Sequence, residues 1–254
     1  MALHKVSRIQ AFTIHLLISC LILISVTGTM IWFLYPDFYF TAQGGWEVIK
    51  ILIAVDLVLG PMITLIIFKP GKKGLKFDMY CIAGMQLAAL IYGSWIIYQE
   101  RPAYLVFAVD RFEVVSASEI DPSKARIDEL KQIVAGKPKL VFAVMPKNQK
   151  EKEDLMFNAA LGGKDLERRP EYYEPVGNHL EALFSSSMEI EKGLERATRH
   201  KEAFENFLSS KHKNINDFYY FPVIGRQKDF VLVLDQQGQL YATIDVDPWD
   251  LYIQ

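Results

Sequence analysis

The chain has only two cysteines in 254 residues, Cys20 and Cys81, and both fall inside long apolar runs. Residues 99–254 contain none, so that part of the protein does not depend on disulfides. The two thiols read as small packing residues of apolar helices, not as a bridge. Catalytic signatures are missing as well. There is no G-x-x-x-x-G-K-[ST] loop, no G-x-G-x-x-G, no H-E-x-x-H and no G-x-S-x-G. These gaps argue against phosphate-loop, dinucleotide, zinc-peptidase and serine-hydrolase chemistry. The five histidines, His4, His15, His179, His200 and His212, have no zinc-ligand spacing. No metal and no cofactor are expected. Nucleic-acid binding is not expected either, since residues 99–254 are net acidic and residues 1–98 hold few basic residues.

Charge is what the first 98 residues lack most. They hold 7 Lys/Arg and 4 Asp/Glu, net +3, whereas residues 99–254 hold 21 and 26, net -5. The averages, 51% hydrophobic and 23% charged with a mean hydropathy of +0.11, therefore blend two unlike halves. Such a split excludes a single soluble domain, and the high apolar content excludes disorder.

Three apolar stretches fill the first half, at about 11–35, 46–68 and 77–98. The first has no charged residue, the second is charged only at Glu47, Lys50 and Asp56, and the third has Asp78 at its mouth. Each exceeds the roughly 20 residues that cross ~30 Å of hydrocarbon, and in a bilayer each must be helical. Lys5 and Arg8 flank the first stretch, and Lys69, Lys72, Lys73 and Lys76 lie between the second and third. The connection Pro36–Gly45 has no basic residue. The positive-inside rule then puts the N-terminus and the lysine connection in the cytoplasm. The domain at 99–254 falls on the far side, the periplasm of a Gram-negative cell. Tyr35-Pro36-Asp37 offers no small-residue cleavage site, so the first stretch reads as a retained signal anchor. Trp32, Tyr35, Tyr39 and Trp46 are expected in the outer aromatic belt, with Phe38 and Phe40 beside them.

The exported half reads as α+β. Strands are expected at 103–115, 139–145, 218–224, 229–234 and 239–246. Helices are expected from Asp121-Pro122 to about Val134, and from about Gln149 to Leu161, ended by Gly162-Gly163. Helical patterning resumes from about Asn178 to Ser210. Residues 164–178 look like a long polar loop. Asp235-Gln236-Gln237-Gly238 suits a hairpin turn. Beyond it Leu240, Ala242, Ile244 and Val246 would face inward, with Tyr241, Thr243 and Asp245 outward. The fold class is thus a three-helix transmembrane region, 1–98, followed by a periplasmic α+β domain, 99–254.

The unusual polar features lie in the membrane half. Asp56 stands near mid-bilayer, where an ionisable side chain is costly and marks a functional-site candidate. The plainer reading is a neutral carboxyl bonded between packed helices, with Gln86 as a partner. Gly60-Pro61 follows; Pro61 removes one backbone bond and kinks the span, and Gly60 lets another helix approach. His15 and Gln86 read as interhelical hydrogen-bonding groups. The connection FKPGKKGLKFD turns at Pro70-Gly71. Its lysines anchor topology and touch anionic lipid, or dock an acidic cytoplasmic partner.

Several of these residues, taken in order, resemble a known family. They are Asp56 with Leu59-Gly60-Pro61, then Pro70-Gly71-Lys72-Lys73, Lys76 with Asp78, and Arg101-Pro102 through Tyr104 to Asp110-Arg111. Together they span about residues 35–120 and resemble the type IV pilin accessory proteins TfpX/TfpZ, related to FimB. The resemblance implies three N-terminal spans, a periplasmic domain and a non-enzymatic, chaperone-like role in type IV pilus assembly. The implied partner is the major pilin, whose production, stability, assembly or retraction would be supported. It carries over no catalytic residue, so the motif is taken as a candidate partner-binding or structural element. Two contacts with pilin are expected: its membrane helix at Asp56 and Gly60-Pro61, and its head at the 164–178 loop, with Arg169, Tyr172 and Tyr173.

Two other readings compete. A membrane enzyme modifying pilin or a lipid-linked sugar would use Asp56, Asp110 or the group Asp245, Asp247 and Asp250 as acids; the missing motifs weigh against it. An envelope sensor would need a cytoplasmic output domain, and the expected topology leaves only a short tail and loop.

Overall fold

The structure, a computed structural model, describes residues 6–252. It contains three helices long and apolar enough to cross a membrane, followed by a mixed sheet with helices. These are α1 (Arg8–Leu34), α2 (Gly45–Ile67) and α3 (Leu75–Gln99). Helix α1 begins before its apolar run because Ser7 and Gln10 cap each other's backbone. Its last residues, Met30–Leu34, are π-helical.

The chain divides into two units. One comprises residues up to Pro36 with Gly44–Glu100, and the other comprises Asp37–Gln43 with residues from Arg101 onward. The connection between α1 and α2 thus belongs to the α+β unit. Within that unit the Gln43 amide donates to the Val114 carbonyl at 3.1 Å. The Gln227 N–H donates to the Ala42 carbonyl at 2.8 Å, and Phe38 packs edge-on to Phe230. Tyr39 is buried, which raises its pKa well above the usual phenol range, helped by the nearby Asp37. The expected aromatic belt is therefore only partly formed. Trp32 and Trp46 are exposed, but Phe38, Tyr39 and Phe40 are buried, and Tyr35 donates its hydroxyl to the Ile97 carbonyl.

Seven strands form one sheet in the order β4-β3-β1-β2-β5-β6-β7. They are β1 (Pro102–Ala108), β2 (Arg111–Ser116), β3 (Lys139–Ala143), β4 (Tyr173–Pro175), β5 (Tyr219–Ile224), β6 (Phe230–Leu234) and β7 (Leu240–Ile244). β1 runs parallel to β3, β2 runs parallel to β5, and the other pairings are antiparallel. Besides one helical turn at Tyr39–Ala42, the α-helices of this unit are α4 (Gln149–Ala160), α5 (Leu180–Ser185), α6 (Ile190–Arg196) and α7 (Lys201–Lys211). One core cluster joins Tyr104, Val106 and Val141 to Leu155 of α4. A second joins Val231, Val233 and Ile244 to Leu194 of α6 and Phe204 of α7. Alternate residues of β1 point to opposite faces, so Phe107 lies away from Tyr104 and Val106. It meets Phe112, Phe142 and Phe221 at ring separations of 5.1, 5.2 and 5.8 Å.

Four local expectations are revised. The single strand at 103–115 is a hairpin, turned at Val109 and Asp110, with Val109 in the left-handed region at φ 62°. The helix expected from Asp121 to Val134 is two short 3₁₀ turns, Pro122–Lys124 and Asp128–Leu130. The helical stretch to Ser210 is divided into α5, α6 and α7. On β7, Ile244 is buried and Val246 beyond it also, but Leu240 is 40% exposed.

Candidate functional site

Asp56 lies on a π-helical segment of α2, Ile53–Leu59. Pro61 accounts for the widening. It has no N–H, and in a regular α-helix its ring would strike the carbonyl of Leu57. The backbone spreads instead to longer bonds, such as Gly60 N–H to the Val55 carbonyl, and α-geometry returns over Gly60–Ile67. π-turns of this kind are rare and recur at functional sites.

Gly60 is buried where α1, α2 and α3 converge. A Cβ there would overlap the Gln86 amide of α3 and lie 3.3 Å from His15 Nε2 of α1. The close approach that Gly60 permits is thus taken by helices of the same chain. His15 Nδ1 lies 2.6 Å from the Thr64 hydroxyl. Gln86, being seated against Gly60, does not bond Asp56 as the sequence had suggested. The Asp56 side chain is 8% exposed, and no hydrogen-bond partner for its carboxylate is found among the described residues. It lines a cavity of about 570 Å³ with His15, Ser19, Thr64, Gln86 and apolar residues, most of them on α1 and α3.

The lysine connection is a closed turn. Lys72 N–H donates to the Lys69 carbonyl across Pro70-Gly71, and the Lys72 ammonium pairs with Asp78 at 2.6 Å. Lys73 and Lys76 are exposed. Arg8 Nε donates to the Phe68 carbonyl at 2.9 Å, holding the last turn of α2.

In the α+β unit the motif residues build the first hairpin. Arg101 is buried and its carbonyl accepts from Ala117 N–H. Pro102 opens β1 opposite Ser116. The fully buried Tyr104 donates its hydroxyl to the Leu130 carbonyl and packs against Tyr173; burial pushes its pKa up to about 12. Asp110 pairs with Arg111 at 2.7 Å and accepts from the Tyr252 hydroxyl at 2.9 Å. Arg111 in turn lies 5.4 Å from the Trp249 ring. The hairpin turn thus holds the C-terminal segment.

The 164–178 segment carries β4 and is tied down by bonds to residues inside and outside it. Arg168 contacts Glu113, Glu119 and Glu167. Burial opposes the Arg168 charge, but Glu113 and Glu119 raise its pKa. Burial likewise raises the pKa of Glu113, with Arg168 pulling the other way. Tyr173 is buried and so unsuited to an exposed contact. Arg169 donates to the Lys164 carbonyl. Tyr172 remains at the surface, bonded to Glu151 at 2.7 Å, with Arg126 over its ring. It lines a cavity of about 420 Å³ with Met145, Pro146 and Glu171.

The C-terminal acids do not act as one group. Asp245 pairs with Lys228, Asp247 caps the Trp249 N–H, and Asp250 is held by Arg199 and His200. Among the described residues no cluster of three or more His, Cys, Asp or Glu side chains could hold a metal. What sequence reasoning missed is Thr64, the partner of His15, and the bonding of residues 37–43 into the α+β unit. Gly60 was the available signal for the first, since a glycine before Pro61 marks a crowded crossing. Nothing in the connection's composition announces the second.

Three curated proteins of Dichelobacter nodosus are similar to the chain. The fimbrial assembly protein of serogroup I is 24% identical over 244 residues, covering 94% of this chain and 95% of its own length. That of serogroup E1 is 23% identical over the same span. The fimbrial assembly protein of serogroups C1 and C2 is 31% identical over 121 residues, 47% of this chain and 88% of its own. No family model and no solved structure matches the chain.

Proposed function

Because the chain belongs to the fimbrial assembly protein family, we propose that it is a non-enzymatic accessory protein of type IV pilus biogenesis. In this reading it sits in the inner membrane on three spans and presents its α+β domain to the periplasm. It supports the major pilin by contacting both the pilin's membrane helix and its periplasmic head. The observation that carries the reading is the pairing of three membrane-length helices with one α+β unit that the chain enters twice, at 37–43 and again from Arg101. A pilin awaiting assembly is likewise one apolar helix with a globular head, so a protein of this layout can engage both ends. On the head side the contact surface is the half-buried Tyr172 with Glu171, which line a concave surface next to Arg126. Aromatic and arginine side chains at a concave surface suit protein contact.

The test is co-purification from membranes. The major pilin is retained on the tagged full-length chain, and deleting the gene lowers pilin level or surface piliation. Normal pilin level and piliation after deletion, with no retention, refutes the role. Orientation is read by labelling single cysteines placed at Lys73 and at Asp121 in intact cells. Only the second reacts with a membrane-impermeant reagent once the outer membrane is permeabilised.

A further inference from the structure

We propose that the cavity flanked by α1, α2 and α3 seats one transmembrane helix of a partner, and that Asp56 receives a hydrogen-bond donor carried near the middle of that helix. The proposal rests on the membrane placement given above and names the chemistry of the membrane contact.

The polar side chains lining the cavity are His15, Ser19, Asp56, Thr64 and Gln86, and Asp56 is the one carboxyl among them. His15 and Thr64 satisfy each other, and the Gln86 amide is seated against Gly60. Asp56 is more than nine-tenths buried and lines the cavity; it faces His15 electrostatically, but no hydrogen bond to its carboxyl is found among the described residues. A carboxyl group inside hydrocarbon is costly unless paired, so an occupant bearing a donor gains what the empty site forgoes. The cavity opens to the side, because its rim residues Ile14, Ile18 and Leu87 are 44%, 52% and 57% exposed. From Ala11 to Ile22 it follows α1 for twelve residues, a rise of about 16 Å at 1.5 Å per residue, or three turns of a helix laid alongside. Ala11 and Ala83 on its walls are small, which allows close backbone approach between helices. A lipid acyl chain would cover the apolar walls but leave Asp56 unpaired. A helix with a hydroxyl or amide at this depth satisfies both. The π-turn bearing Asp56 tilts this side chain out of the regular α-helical register.

The experiment uses the full chain in phosphatidylcholine vesicles and two synthetic single-span leucine–alanine helices, one with threonine at its centre and one with valine. The pair differ by a hydroxyl for a methyl. Energy transfer from the protein's tryptophans to a dansyl group on each helix measures association. The threonine helix associates roughly three- to tenfold more tightly than the valine helix. Asp56→Leu abolishes that preference, Asp56→Asn retains it because an acceptor oxygen remains, and Ala83→Trp weakens both helices by filling the cavity. Circular dichroism of each variant verifies that the helices are kept. Equal association of the two helices with the unsubstituted chain overturns the proposal, and this is the result if acyl chains alone occupy the cavity. A preference that survives Asp56→Leu, or association unchanged in Ala83→Trp, also overturns it. Neither probe contains pilin sequence. A failure here leaves the pilin role to its own co-purification test, and a failure there leaves this result standing.

Discussion

Replacing Gly225 by alanine tests whether residues 37–43 are a structural part of the α+β unit. Gly225 follows β5, and its N–H donates to Asp229 at 3.1 Å. A Cβ at this position would lie 2.6 Å from the Ala42 carbonyl oxygen and 2.8 Å from the Ala42 Cβ, and would also overlap the Lys228 carbonyl. All three are backbone or backbone-fixed atoms, so no flexible side chain can give way. The methyl must push the connection out, and the first bond lost is Gln227 N–H to the Ala42 carbonyl. Overpacking costs about 1–3 kcal/mol and a lost hydrogen bond about 1 more. The total of roughly 2–4 kcal/mol lowers the melting temperature of a unit this size by about 4–16 °C. Gly177→Ala is the control, since its added methyl meets nothing within 4 Å. It changes stability by less than about 0.5 kcal/mol. Thermal unfolding of the detergent-solubilised full chain by circular dichroism, with limited proteolysis at 37–43, gives both readings. If Gly225→Ala melts with Gly177→Ala and leaves 37–43 equally protected, residues 37–43 do not belong to the unit and the reasoning fails.

Three further predictions follow from single contacts. Tyr104→Phe leaves the Leu130 carbonyl unpaired inside the core and lowers stability by about 1–3 kcal/mol, read as a fall of several degrees in melting temperature. Gly60→Val drives a side chain into Gln86 and His15 at the crossing of α1, α2 and α3; the variant inserts poorly or melts early, whereas Gly84→Val, in open space on α3, behaves normally. Hydrogen bonds from Arg199 and His200, with their charges, hold the Asp250 carboxyl below its ordinary pKa. A carboxylate whose folded pKa is depressed adds stability above its unfolded pKa, near 4, and loses it as pH falls through the folded value. The melting-temperature gap between the unsubstituted chain and Asp250→Asn is therefore constant from pH 5 to 6 and closes below about pH 4; a gap that persists at pH 2 contradicts the assignment.

The three long apolar helices were legible because membrane-length apolar runs leave few alternatives. Strands β5, β6 and β7 were legible because β-branched and aromatic runs there end at clear turn residues. The β1–β2 hairpin was not, since its turn uses Val109 in a left-handed conformation that a β-branched residue seldom adopts. The apolar run simply passes through it. The long helix expected across 178–210 breaks at Ser185, Ser186 and Ser187. The first two bond back to the Ala182 carbonyl, and Ser187 accepts from Tyr220 N–H of β5. Serines that bond locally compete with the helix, and the strand that captures Ser187 is 33 residues away, invisible to a periodicity argument. The segment after Asp121 fails as a helix for a related reason: Ala125 and Leu130 are drawn into the core in two short turns.

The candidate site was legible in its rarest residue and illegible in its geometry. Asp56 stands out in any apolar run, but its isolation depends on where Gln86 goes, and that is decided by the space Gly60 leaves. The same logic separates architecture from recognition in the remaining motif. Pro61 widens α2, Pro70-Gly71 closes a turn, Lys72 and Asp78 pair, Tyr104 anchors a core carbonyl, and Asp110 with Arg111 holds the C-terminal segment. Each of these is already bonded within the chain, so it has little left to offer a partner. Lys73 and Lys76 are exposed on the lysine turn, and Asp56 is a buried motif residue whose hydrogen bond is still to be gained. If partner choice lies at Asp56, substitutions at the bonded positions Pro61, Tyr104 and Asp110 reduce folding and binding together, whereas Asp56→Leu reduces binding with the melting temperature intact or raised. A loss of binding in Asp56→Leu that tracks a matching loss of stability would instead place Asp56 among the structural residues.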